Sequence, residues 1–265
     1  MNSRTRPLIS IVTVVYNGIE FIEESILSVV SQTYRNIEYI VIDGGSTDGT
    51  IDILRKYDDY ITYWASEKDK GMYDALNKGF NKATGDIFAY INSDDLYESH
   101  YTIEKIVNQF IQSNSSLVFG DVELINRGGS SRNVYKSLAL PSLLIKWLSR
   151  VPFAQQTAFW TRDAFEAIGG FDSSLKYVAD SKFFFLLCFN KNYRYSKVNF
   201  IVAKFRLHDN AFSTKRKDEM KAEARDMRRL IGIDERHSLR RMFVEVIMKI
   251  YNFKALWVKI FRHVK

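Results

Sequence analysis

Asn92-Ser93-Asp94-Asp95 follows the apolar run Ile87 to Ile91 and gathers hard oxygen donors at one point of the chain. Such donors suit Mg2+ or Mn2+, which are typically held by one or two carboxylates together with a substrate's phosphates. A cation held there neutralises the charge that develops on a diphosphate leaving group. Asp43 ends a second apolar run, Ile37 to Ile42, where a carboxylate can accept from a base N–H or a ribose hydroxyl. Each has a plainer alternative, because Asp is common in turns and helix caps. The stretch from Gly44 to Gly49 is glycine-rich but lacks the Lys-Ser/Thr of a phosphate loop and the spacing of a dinucleotide fingerprint. A tight strand-to-helix turn with Thr47 or Asp48 as N-cap fits it better. Lys70, Asp74 and Asn77, taken alone, read as solvated helix surface.

The elements that must carry these residues alternate in type. Leu8 to Val15 reads as a buried strand, then come a turn at Tyr16-Asn17-Gly18 and a helix over Glu20 to Thr33. Ile37 to Ile42 is a second strand, a helix follows through about Tyr57, and Ile61 to Ala65 is a short third strand. Gly71 to Thr84 has helical spacing and Ile87 to Ile91 is a further strand. This period implies a parallel sheet with helices on both faces, and ligands then sit at the carboxyl ends of the strands. Three polar clusters fall at those ends: Asn17, Asp43 to Ser46, and Asn92 to Asp95. Further on, the expected elements are a strand over Leu117 to Ile125, a loop over Arg127 to Arg132 and a helix over Leu138 to Arg150. A strand over Phe153 to Thr161 and helices over Asp163 to Ile168 and Asp180 to Phe189 follow, then a strand over Lys197 to Phe205.

Composition limits the classes. At 265 residues the chain can bury about three quarters of its unfolded surface, so it needs no crosslinks to fold. Cys188 is the single cysteine, which excludes a disulfide framework and any multi-cysteine metal site. The net charge of +7 is unevenly placed. Residues 215–265 hold 15 Lys/Arg and 7 Asp/Glu, a net of +8, while the remainder nets −1. A nucleic-acid protein carries its basic stripe across the binding domain, so that class recedes. The first residues lack a signal-peptide pattern, and the densest apolar run, Phe183 to Phe189, is far short of the roughly 18–20 residues that span a bilayer. The expectation is a cytoplasmic protein peripheral to the inner face of the membrane, with a homo-oligomer left open.

The motifs as a set carry a resemblance. Ser10 to Asn17, Ile42 to Thr50, Ser66 to Gly79, Ala83 to Asp86 and Asn92 to Asp95, in this order and spacing, resemble the family 2 glycosyltransferases of the GT-A fold, over about residues 8–213. The resemblance implies an α/β fold with a Rossmann-like, mostly parallel central sheet. It also implies an inverting, divalent-metal-dependent transfer of a sugar from a nucleoside diphosphate donor. By resemblance Thr13, Asn17 and Asp43 line the nucleoside pocket, Lys70 and Asp95 belong to the donor site, and Asp94 is the metal-binding aspartate. Asn92 stands where many members carry the first aspartate of the pair. Val178-Ala179-Asp180 falls on the position of the catalytic base, for which an N-cap is the alternative role. Relatives often continue with a second Asp and then an Arg, where this chain has Lys182 and Leu186. His208 lies where some such enzymes close a loop over the diphosphate, as a third metal ligand, a phosphate contact or a solvated loop residue. Arg206 is a comparable diphosphate candidate.

Two regions are therefore expected: a transferase domain over 1–214 and a basic helical extension over 215–265. From Met242 to Val264 apolar residues recur at helical spacing among basic ones, with Glu245 the single acid from Met242 onward. Such a helix suits an anionic membrane surface over about 240–265, or packing on the domain or on a second subunit. Many relatives build envelope polysaccharides on glycan or polyprenol-linked acceptors, and a UDP-sugar comes first among the donors. A nucleotidyltransferase or a binding module without catalysis are the competing readings. The first lacks its basic glycine-rich loop at Asn17-Gly18-Ile19-Glu20.

Overall fold

The computed structural model describes residues 6–209, 215–233 and 242–246. The strands β1 (Ile9–Val15), β2 (Ile37–Asp43), β3 (Tyr63–Ser66) and β4 (Ile87–Asn92) lie parallel in the order β3-β2-β1-β4. All seven positions of β1 are buried, as expected of a central strand covered on both faces. Side chains alternate between two cores, following the period of two of a pleated strand. Val12, Val14, Ile40 and Ile42 face one side, and Ile9, Ile11, Val15, Tyr39 and Val41 face the other. Helices α1 (Ile22–Val30), α2 (Thr50–Lys56) and α3 (Met72–Lys82) connect the strands.

Among the described residues the sheet has nine strands and continues past β4 with mixed direction. β8 (Phe159–Thr161) runs antiparallel to both β4 and β6 (Leu117–Asn126), and β9 (Tyr195–Leu207) lies parallel to β6. β5 (Leu96–Tyr97) pairs antiparallel with β9 at the edge, and β7 (Ser131–Tyr135) pairs with β6.

Several second-half expectations change. Helix α4 (Thr102–Ser113), absent from the reading of the sequence, buries Thr102, Ile103, Ile106, Val107 and Phe110 at helical spacing. The helix expected over Leu138 to Arg150 contracts to α5 (Ser142–Leu148). Pro141 disfavours helical backbone at the residue before it, and Ser149 turns left-handed at φ 58 to end the helix. The strand expected from Phe153 breaks into a 3-10 turn (Gln155–Thr157) and β8. The loop expected over 127–132 turns by Ser131 into β7.

Helices α6 (Arg162–Ile168), α7 (Ala179–Phe189) and α8 (Lys217–Leu230) follow in the second half. Trp160 is fully buried among Phe80, Phe165, Phe171, Phe183 and Phe184, with ring centroids 5.3–6.4 Å from its own. Each such side chain contributes about 1.5–3 kcal/mol by leaving water. Helix α7 is apolar on nearly every side, so it is a core helix and its N-terminus is held in a fixed place. Met227 of α8, Ile233 and Val244 are buried in the same core as Trp160.

Candidate active site

The parallel register pairs Val15 with Asp43, Val14 with Asn92 and Asp43 with Ser66, which brings the carboxyl ends of β1 to β4 level. A cleft of about 900 Å3 opens above them. Its walls include Tyr16, Asn17, Lys70, Tyr73, Tyr90, Asn92, Asp94, Gln155, Asp180 and His208, together with Lys215, Arg216 and Met220.

On one side of the cleft, His208 Nε2 lies 3.0 Å from Asp94 Oδ2. The imidazole is packed against Phe21, with ring centroids 4.9 Å apart. Asn92 lines the same wall, and its buried Oδ1 has no hydrogen-bond partner. Carboxylate, imidazole and an orphaned amide oxygen are a donor set that suits Mn2+ or Mg2+ completed by phosphate oxygens. Among the described residues no three His, Cys, Asp or Glu side chains converge on one point.

Asp180 occupies the second residue of α7, so it is not the N-cap, a place taken by Val178. The Tyr73 hydroxyl donates to Asp180 Oδ1 at 2.9 Å and the Tyr90 hydroxyl to Oδ2 at 3.5 Å. The Ser181 N–H donates at 2.7 Å. Burial raises the Asp180 pKa from the ordinary carboxylate value, against these donors, which lower it. Burial, followed by the Asp180 charge, pushes both tyrosines well above their usual range, so they stay protonated donors.

The structure separates the expected site residues into two groups. Asn17, Lys70, Asn92, Asp94, Asp180 and His208 line the cleft. Thr13, Asp43, Asp95 and Arg206 do not: each is buried and engaged as follows. Thr13 is fully buried within the sheet and accepts from the Tyr39 hydroxyl at 3.1 Å. Asp43 is fully buried and spends its oxygens on Gly45 N–H at 3.0 Å, Ser46 N–H at 2.9 Å, the Ser46 hydroxyl and the Ser66 hydroxyl at 2.6 Å. It folds the loop rather than facing the cleft. Asp95 is fully buried and accepts from the Arg206 N–H at 3.0 Å. Burial, then the adjacent Asp94 charge, push its pKa well above the carboxylate range. The Arg206 guanidinium donates to the Asp94 carbonyl at 3.1 Å, the Arg127 carbonyl at 2.7 Å and Glu24 at 2.6 Å. With 1% exposure it braces the Asp94 loop from beneath.

Asn17 is braced too: its Oδ1 accepts from Thr47 N–H at 2.9 Å while its own N–H donates to Ser46 at 2.7 Å. The residue adopts φ 50, a left-handed conformation that Asn tolerates better than most side chains. The helix cap expected at Thr47 or Asp48 is corrected: Gly49, left-handed at φ 98, is the N-cap of α2, and Asp48, the residue before it, accepts from Thr50 N–H through Oδ1 at 3.0 Å. Lys182, at the position where relatives carry Asp, pairs with Asp172 at 2.5 Å.

Three site residues were missing from the sequence reading. Tyr16 is 68% exposed at the end of β1, an aromatic ring left over the cleft where core packing does not claim it. Its place directly after a buried strand was the available signal. Tyr90, in the middle of an apolar strand, gave none. Nor did Glu223, which accepts from the backbone N–H groups of Lys176 at 2.8 Å, Tyr177 at 2.7 Å and Val178 at 3.1 Å.

Residues 10–180 match the model of Glycosyl transferase family 2. The chain belongs to this family. It is 34% identical over 213 residues to an uncharacterized glycosyltransferase of Rickettsia typhi, covering 77% of this chain and 65% of that protein. An uncharacterized glycosyltransferase of Mycobacterium tuberculosis is 31% identical over 182 residues, 67% of each chain. The chain thus spans just under two thirds of the rickettsial relative's length. Among solved structures it is similar to the mannosyltransferase PcManGT of Pyrobaculum calidifontis in complex with GDP-Man and Mn2+. The TM-score is 0.65 at 19% identity, over 94% of this chain and 72% of that one. S. aureus TarS 1–349 in complex with UDP gives a TM-score of 0.62 at 18% identity, over 88% and 68%. These likenesses establish the GT-A fold that the resemblance led us to expect.

Proposed function

We propose that this family 2 protein is an inverting, divalent-metal-dependent glycosyltransferase. It takes a nucleoside diphosphate sugar, a UDP-sugar first, and a glycan or lipid-linked acceptor of cell-surface polysaccharide synthesis. The observation that carries the reading is one cleft with the Asp94–His208 pair on one wall and the tyrosine-held Asp180 on another.

Tyr16 supplies a flat face for the nucleobase. Asp94, His208 and the Asn92 amide oxygen hold the cation, which when bound offsets the charge on the departing diphosphate. Lys70, Lys215 and Arg216 add positive charge along the same cleft. Asp180 takes the proton of the acceptor hydroxyl as that oxygen attacks the anomeric carbon from the face opposite the diphosphate. The raised pKa makes it a stronger base than a free Asp, and the tyrosine donors keep its oxygens oriented. We further propose that residues 1–214 are the transferase domain and that 215–265 extends it.

A thermal-shift panel of UDP-, GDP- and dTDP-sugars with and without Mn2+ tests the donor and the metal together. The expected result is a rise in Tm for one nucleotide class that needs Mn2+ and that Asp94→Ala abolishes. Equal shifts with chelator present, or in Asp94→Ala, sink the metal assignment.

A further inference from the structure

The cleft wall that carries Asp180 is built from two distant parts of the chain. Leu175, Lys176 and Tyr177 line the cleft just before α7, and Met220 of α8 lines it beside them. Between these parts lies Glu223, also on α8. Its Oε1 accepts from Lys176 N–H, and its Oε2 from Tyr177 N–H and Val178 N–H, at 2.7–3.1 Å. Three successive backbone N–H groups thus converge on one carboxylate, an arrangement that selects an anion. It is not an ordinary helix cap. Val178 is the N-cap, so two of the three donors lie outside α7 and none belongs to the helix proper.

The anchor of this carboxylate is rigid. On α8, Met227 is 1% exposed, and Ala224 and Ile231 pack on the same aromatic core that buries α7. The segment held by Glu223 leads within two residues to Asp180, whose carboxylate must meet the Tyr73 hydroxyl at 2.9 Å. Without the tether the 176–178 backbone loses its charged partner while both helices keep their buried faces. The loop then loosens while the fold persists. Glu223 lies beyond the segment matched by the family model, which ends at residue 180.

We propose that Glu223 is a positioning residue. It fixes the approach to α7 and so holds Asp180 and the adjoining wall in their working geometry. The proposal rests on the reading of Asp180 as the base. A misplacement of about 1 Å at a reacting group can cost about 100-fold in rate.

The experiment compares the full chain with Glu223→Ala and Glu223→Gln. Three readouts are used: amide hydrogen exchange over 174–181, affinity for UDP or GDP with Mn2+, and nucleotide release as the donor that the thermal-shift panel selects passes its sugar to water. In Glu223→Ala exchange at 176–178 should rise about tenfold or more. The fall in kcat should be roughly 10- to 100-fold, with donor KM and nucleotide affinity within about twofold. Glu223→Gln, which keeps one acceptor oxygen, should recover part of both. Unchanged exchange in Glu223→Ala overturns the tether. A rise in exchange with unchanged kcat overturns the positioning role, and so does a parallel loss of nucleotide affinity. If the wild-type chain releases nucleotide from no donor, the transferase reading fails, while the exchange result still decides the tether.

Discussion

Asp180 is asked to be both a buried group and a base, and these demands oppose one another. Its pKa is raised by burial, so the folded chain binds that proton more readily than the unfolded chain. The stability it contributes is complete below the unfolded carboxylate pKa and is lost as pH rises through the folded value. At neutral pH the ionised form therefore costs stability. Asp180→Asn should abolish transfer while leaving Tm equal or higher, and a fall of several degrees in Tm contradicts this account. Turnover needs the ionised form, so kcat should fall as pH drops through a value above that of a free Asp. Tyr73→Phe removes the closer hydroxyl donor to the carboxylate and should move that acid limb upward. An unmoved limb in a pH–kcat profile assigns the limb to another group. The places of four cleft residues were legible in the sequence: Asn92 ends β4, Asp94 lies two residues beyond it, Asp180 is the second residue of α7 and His208 directly follows β9. Thr13, Asp43, Asp95 and Arg206 were expected beside them and lie buried off the cleft instead. A motif gives the residue and its place in the chain, but not whether its polar atoms are already spent on neighbouring backbone.

At the scale of elements, α3 matters most, because it lies on β1 and β2 and carries Tyr73 to the base. Its close approach depends on Gly79. A Cβ there would stand 2.6 Å from Val12 Cγ1 and 3.3 Å from Ile42 Cγ1. Two effects oppose one another in Gly79→Ala. Helix propensity gains about 1 kcal/mol, and overpacking of a tight core costs about 1–3 kcal/mol. The 2.6 Å contact is to a stiff β-branched residue fully buried in a central strand, so overpacking should win by about 1 kcal/mol. Urea unfolding measures this, and stabilisation by the substitution contradicts the account. The first half of the sheet was legible because its strands are apolar on both faces and its connections are local. In the second half β6, β9, α6 and α7 were legible as elements, but the pairing of β6 with β9 was not, because it spans some eighty residues. The broken strand at 155–161 and the shortened α5 follow from packing and backbone stereochemistry rather than from apolar spacing. Helix α4 carries a helical pattern in its sequence, with Ile103, Ile106, Val107 and Phe110 on its buried face.

At the scale of the whole molecule, charge and fold divide the chain in different places. By charge the boundary falls near residue 215, with +8 beyond it and −1 before it. By packing it falls later, since Met227, Ile233 and Val244 are buried in the central core. Met242, Phe243 and Val246 face outward at 56%, 58% and 46% exposure. No helix among the described residues is long and apolar enough to cross a membrane. The rest of the basic amphipathic segment, 247–265, lies outside the described residues and holds five Lys/Arg and no Asp or Glu. Each such base near an anionic leaflet is worth about 1 kcal/mol, and Trp257 and Phe261 add apolar area. We therefore propose that this segment binds an anionic membrane surface, and the packing fixes where to cut. Truncation before Val244 removes core and tests stability. Truncation after residue 246 keeps Met227, Ile233 and Val244 and removes the five bases. Full-length protein should float with phosphatidylglycerol vesicles, more weakly as salt rises. The chain ending at 246 should stay behind while keeping its Tm and nucleotide affinity. Equal flotation of the two chains removes the membrane role from this segment.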